Sequence, residues 1–90
     1  MKIKANQLAI INLVLNVDAE GKAKNYNISD LTKASDIYKE IMKNTKDDMF
    51  IDGEVELTSE HKVFINKLVE ERSWSVQDAD AVFSLKEMIK

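Results

Sequence analysis

The sequence predicts a mainly α domain: about four helices in a small bundle, with a short β-hairpin as a minor element. Three observations lead there. The chain has no proline and only two glycines, Gly21 and Gly53, so long regular elements run uninterrupted. Apolar residues recur at helical spacing in separate stretches along its length. One strong two-residue hairpin signal, Asp52-Gly53, lies between short apolar runs. Ninety residues suit a single domain, 1–90, of modest stability, since a chain this short buries only about 60–65% of its unfolded surface.

Met1 to Lys4 alternates apolar and basic side chains, a short strand signal. Residues 6–17 place Leu8, Ile11 and Leu15 on one helical face, with Ile10, Val14 and Val17 beside it. Their Ile and Val content also suits a strand, but Asn12 and Asn16, four apart, share a helical face and favour helix. Apolar groups cover most of this helix's circumference, so it demands burial on several sides. Asp18 to Asn27 is a polar loop around Gly21. Ser29 is the expected N-cap of a second helix running to about Thr45, with Leu31, Ala34, Ile37, Tyr38, Ile41 and Met42 as its stripe. Met49–Ile51 and Val55–Leu57 flank Asp52-Gly53 as a hairpin, to which Met1–Lys4 is expected to add a third strand. Thr58 or Ser59 caps a third helix to about Glu71, whose apolar positions are Val63, Phe64, Ile65, Leu68 and Val69. Ser75, with Asp78 completing a capping box, starts a fourth that carries Val76, Ala79, Val82, Phe83, Leu85, Met88 and Ile89.

Charge is uneven. The formal charge is −3, yet residues 1–46 hold eight lysines against five acids, and residues 47–90 hold five basic groups against eleven acids. Nothing supplies the strong basic face that phosphate binding wants, so nucleic acid is not the expected partner. No cysteine is present, which excludes disulfides and thiolate metal sites and fits a cytoplasmic protein. The longest apolar stretch, Leu8–Val17, is too short to span a bilayer, and Asp18-Ala-Glu20 makes a poor signal-cleavage site.

Catalysis needs groups tuned against one another, and the sequence offers few. The only histidine, His61, opens the third helix and reads as a cap-related residue. No phosphate loop, nucleotide fingerprint or Ser-His-Asp order is present. Taken as a calcium loop around Gly53, the chain has Asp48 first and Asp52 fifth. Phe50 then stands third and Ser59 twelfth, where carboxylates belong. The expectation is therefore no catalytic residue, no metal and no cofactor.

Contact with another macromolecule is the function these features favour. Asp47, Asp48, Asp52, Glu54, Glu56 and Glu60 follow one another without an intervening base. They are either a solvated edge or a patch for a basic partner surface. Trp74 suits a helix-corner core or an interface hot spot. Asp52, Glu54, Glu56 and Trp74 are thus the candidate partner-binding residues. An alternative is a small-molecule or nucleotide binder with a pocket between subunits and Lys22, Lys24 and Tyr26 at its mouth. The over-apolar first helix needs cover, either from the other helices or from a second copy, so a homo-oligomer is expected.

The start, Met1-Lys-Ile-Lys-Ala-Asn-Gln-Leu8, and the segment Trp74-Ser-Val-Gln-Asp-Ala-Asp-Ala-Val-Phe83 resemble small bacteriophage- and prophage-encoded proteins, as does the Lys-, Asn- and Ile-rich composition. The resemblance carries no catalytic residues. It implies an accessory phage role in the host cytoplasm: an inhibitor of a host system, or an assembly factor.

Overall fold

Helix α1 (Ala5–Asn16) forms the centre of the fold in a computed structural model that describes residues 1–90. Around it pack α2 (Ile28–Met42), α3 (Ser59–Glu70) and α4 (Ala79–Met88), each touching α1 directly. Four two-residue strands complete the chain: β1 (Lys2–Ile3), β2 (Thr45–Lys46), β3 (Met49–Phe50) and β4 (Gly53–Glu54). The expected class, a mainly α domain with a minor hairpin, is what the chain adopts. No helix is long and apolar enough to cross a membrane.

The segment 6–17 is helix, because α1 meets partners on three sides and its apolar groups are thereby buried. Leu8 and Ile11 are fully buried, and Ile10, Val14 and Leu15 nearly so. Five such side chains contribute on the order of 10 kcal/mol of transfer free energy before conformational entropy is set against it. They meet Ile37 and Ile41 of α2, Ile65 of α3 and Leu85 of α4 in one core. The neighbouring helices therefore supply the cover that the sequence pattern demanded, and no second copy is required for it. Gln7 is the one buried polar residue; its Oε1 accepts from the Lys4 amide at 2.9 Å and its Nε2 donates to Ser84 Oγ at 3.0 Å.

The ends of α1 are satisfied by distant segments. Its first turn contains no acid and its last turn no base. Asp52 Oδ1 instead accepts from the Ala5 amide at 2.8 Å, which brings a carboxylate to the positive end of the helix. At the other end the Asn16 carbonyl accepts from the Lys24 amide at 3.0 Å and the Leu15 carbonyl from the Tyr26 hydroxyl at 2.8 Å. Arg72 Nη1 donates to the Val17 carbonyl just beyond, at 3.0 Å.

Several local expectations are corrected. Asn27, not Ser29, caps α2: its Oδ1 accepts from the Asp30 amide at 2.8 Å, which leaves Ser29 inside the first turn. The helix stops at Met42 instead of near Thr45, since Thr45 enters β2 and its hydroxyl donates back to the Met42 carbonyl at 2.9 Å.

The hairpin turns at Asp47-Asp48 and not at Asp52-Gly53. Lys46 pairs with Met49, and the two central aspartates have φ of 53° and 63°. Two successive positive φ values describe the type I′ turn, whose twist suits flanking antiparallel strands. Gly53 lies instead in a second ladder, opposite Ile3, with Glu54 opposite Lys2. Met1–Lys4 thus forms its strand, but in a separate two-stranded sheet. Position 53 is a place of close approach. A Cβ there would overlap the Asn44 side chain, whose Nδ2 donates to the Glu54 carbonyl at 2.9 Å.

Thr58 caps α3 as expected, in a box closed by His61: Oγ1 accepts from the His61 amide at 3.1 Å, and His61 Nδ1 accepts from the Thr58 amide at 3.3 Å. Ser75 does not cap α4 directly. A 3₁₀ turn, Val76–Asp78, intervenes, and the Ser75 hydroxyl donates to the Asp78 carboxylate at 3.0 Å. Three expected core positions, Val63, Val76 and Phe83, are 71%, 92% and 68% exposed. The buried arcs of these helices are narrower than their apolar stripes: Ile65, Leu68 and Val69 on α3, and Val82, Leu85 and Ile89 around α4.

Candidate functional site

The helix that fills the core also presents a surface. On α1, Asn6, Ala9, Leu13 and Asn16 are exposed, and the whole helix carries no charged side chain. Spacings of three, four and three align these four residues in a ridge along one side of α1. Beside the ridge, Asn12 faces Tyr38 and Met42 of α2 and Phe50 of β3 across a shallow depression of about 200 Å³, closed by Thr45 and Asp48. Tyr38 and Met42 are 41% and 37% exposed, Leu13 is 37% and Met49, next to Phe50, is 69%. Tyr38 and Met42 were expected in the core. They sit at the edge of the α2 stripe because Ala34, Ile37 and Ile41 take the face turned toward α1. α1, α2 and the hairpin thus share one apolar and amide-bearing face on which Asp48 is the only acid lining the depression.

The residues singled out in the acidic segment do not form one patch. Asp52 is spent on the α1 N-terminus. Glu54 is exposed but lies in register with Lys2, and an open hollow next to it is lined by Lys2, Lys4, Asp52 and Glu54 together. Glu56 is exposed, and its amide donates to Glu40 Oε1 at 2.8 Å. The Lys43 ammonium, 2.9 Å from Glu40, and the Glu56 amide hold the Glu40 carboxyl below the usual carboxylate range, and Glu40 in turn raises Lys43. Trp74 stands beyond the far end of α3 from Glu56, a helix of 12 residues and so roughly 18 Å. Its ring packs half-buried against the core, its Nε1 donates to the Val69 carbonyl at 2.9 Å, and the Arg72 guanidinium lies 5.3 Å from the ring centre. Asp52 and Glu54 therefore border one hollow while Trp74 stands at the far end of α3, and Asp52 and Trp74 hold structural roles.

Lys24 and Tyr26 are likewise engaged within the chain. Lys24 Nζ lies 3.1 Å from Glu71 and 5.9 Å from the Tyr26 ring centre, and Tyr26 stacks obliquely on Phe64 at 5.9 Å. Burial, then the Glu71 and Asp30 carboxylates, push the Tyr26 phenol up to about 12. Lys22 is exposed, and its amide donates to Asp18 Oδ1 at 2.9 Å in the turn around Gly21. The basic-aromatic loop is a clasp on the end of α1. Of the acids in the calcium-like segment, Asp48 stands in the hairpin turn and Asp52 at the helix start, so the two serve different elements.

Sequence reasoning left the cover of α1 open between the other helices and a second copy, and it did not single out the residues that stay exposed. The signal was present: positions 6, 9, 13 and 16 repeat at the three-four spacing of a helix-pairing seam and contain no charge. Comparison with known proteins finds no matching family model, no matching curated protein and no matching solved structure.

Proposed function

We propose that the chain is a non-catalytic binding protein that acts by laying the uncharged α1 ridge, with Tyr38, Met42, Met49 and Phe50 at its flank, against a protein partner. One observation carries this reading: neither the exposed ridge of α1 nor the lining of the depression beside it holds a lysine or arginine, in a chain of which 32% is charged. Contact-surface centres are depleted in charge and enriched in tyrosine, phenylalanine and methionine, which is the composition found here. Small phage-encoded inhibitors of host systems and assembly factors are the biological roles that this mode of action and the sequence resemblance suit.

The test is a photo-cross-linking side chain placed at Leu13, and separately at Val63 as an exposed control, in cells that make the protein. Discrete covalent protein adducts from position 13, absent from position 63, are the expected result. Position 13 yielding no adduct beyond the control would sink the assignment of this face.

A further inference from the structure

The ridge has an internal symmetry. Asn6 and Asn16 lie five residues to either side of Ile11, and Ala9 and Leu13 lie two to either side. Two identical helices crossing antiparallel about a two-fold axis bring together residues equally displaced from the axis. With the axis at the level of Ile11, Asn6 meets the partner's Asn16, and Ala9 meets the partner's Leu13. Each pairing is chemically complementary. Ala9 leaves the space that a leucine side chain fills. Asn16 already donates its amide nitrogen to the Asn12 carbonyl and to Asn12 Oδ1, both at 2.9 Å, so what it has left to offer is its side-chain oxygen. Asn6 brings an amide with two donors to meet it.

Resting on the reading of this face as a protein-contact surface, we infer that its occupant is a second copy of the same chain, paired α1 to α1 in this antiparallel register. Three further features fit that occupant. The α1 ridge carries no charge, so it meets its own copy without like-charge repulsion, which a charged ridge of one sign cannot do. Spacings of three, four and three are those of the seam in helix pairs, where an amide residue fixes register. Antiparallel helices also place the ends of their dipoles against opposite ends.

The available area sets the strength. From Asn6 to Asn16 the ridge is about 15 Å long and, with the α2 edge, about 20–25 Å wide, which offers on the order of 400 Å² per copy at most. The total of about 800 Å² is less than the roughly 1,000 Å² of a stable specific interface, so the pairing is weak and its affinity is set by a few residues. Leu13 is the one large apolar side chain on the ridge and the residue on which that affinity depends.

The absence of native cysteine makes the register directly readable. Sedimentation of the full chain from about 5 µM to 1 mM is expected to show a monomer–dimer equilibrium, with Leu13→Arg weakening it about 100-fold while its circular dichroism spectrum stays that of the parent. Under mild oxidation, a mixture of Ala9→Cys and Leu13→Cys chains should form the mixed 9–13 disulfide in preference to either homodimer. The Asn6→Cys and Asn16→Cys mixture should do the same. Preferential 9–9 and 13–13 linkage would overturn the antiparallel register. A chain that stays monomeric at 1 mM overturns the pairing altogether. If such a monomer still cross-links to a different protein through position 13 in cells, self-pairing fails and the contact-surface reading stands.

Discussion

Tyr26→Phe removes one oxygen, and its effect on stability should change with pH. The Tyr26 hydroxyl donates at 2.8 Å to the Leu15 carbonyl, which lies in the last turn of α1 where no helical amide can reach it. Losing the bond and leaving that carbonyl without its partner costs about 1–2 kcal/mol at neutral pH. The ring and its packing on Phe64 are kept, so no cavity adds to this figure.

The phenol is pushed up to about 12 in the folded chain, by burial first and then by Glu71 and Asp30. In the unfolded chain it titrates near its ordinary value of about 10. The folded state thus holds the proton more tightly, and this advantage is complete below pH 10 and lost as pH rises from about 10 to 12. Two units correspond to roughly 2.7 kcal/mol at the limit, and the partial exposure of the ring lowers this to about 1 kcal/mol. Urea unfolding of both proteins at pH 8, 10 and 11.5 reads the difference. The parent should be the more stable at pH 8, and the gap should narrow through pH 10–12. A gap that stays constant across this range would refute the assignment of the proton to a buried, hydrogen-bonded Tyr26.

Other substitutions test neighbouring parts of the fold. Asp52→Ala removes the carboxylate from the start of α1 and should cost about 1 kcal/mol, a fall of about 4–8 °C in Tm by calorimetry; an unchanged Tm would return Asp52 to the list of pure surface residues. Asp47→Asn combined with Asp48→Gly supplies the residues a type I′ turn prefers and should raise stability by about 1 kcal/mol, measured by the urea midpoint. Glu40→Gln should destabilise slightly at pH 7, by an amount that shrinks as the pH falls into the acid range. The depressed Glu40 carboxyl stabilises the fold above its unfolded pKa, and that contribution disappears as pH falls through its folded one. A Glu40→Gln cost that persists in acid would show that shape and not charge explains this contact.

Much of the architecture could be read from local pattern, because local chemistry decides it. Thr58 followed three residues later by His61 marks the start of α3, and the apolar spacing from Leu8 to Leu15 marks α1. The hairpin was misplaced because Asp52-Gly53 has the residues of a tight turn while Asp47-Asp48 has not. Only the folded chain shows that Asn44 crowds position 53 and that the strand after it pairs with Lys2 and Ile3. The acidic run looked continuous for a similar reason: pairing in space sets Lys2 opposite Glu54, which no window of sequence contains. The ridge of α1 was hidden because periodicity identifies apolar faces but does not say how many of them neighbours will cover.

At each end of α1 one contact is contributed by a residue far away in the chain. Asp52 stands 47 residues from Ala5, and Arg72 stands 55 from Val17. An isolated α1, 12 residues long, is too short to persist in water by itself. Its amides should therefore exchange with deuterium only when the whole domain opens, and they should be the slowest in the molecule. Folding is then all-or-none around the central helix, and any partner that engages its ridge binds a surface held in part by residues 52 and 72.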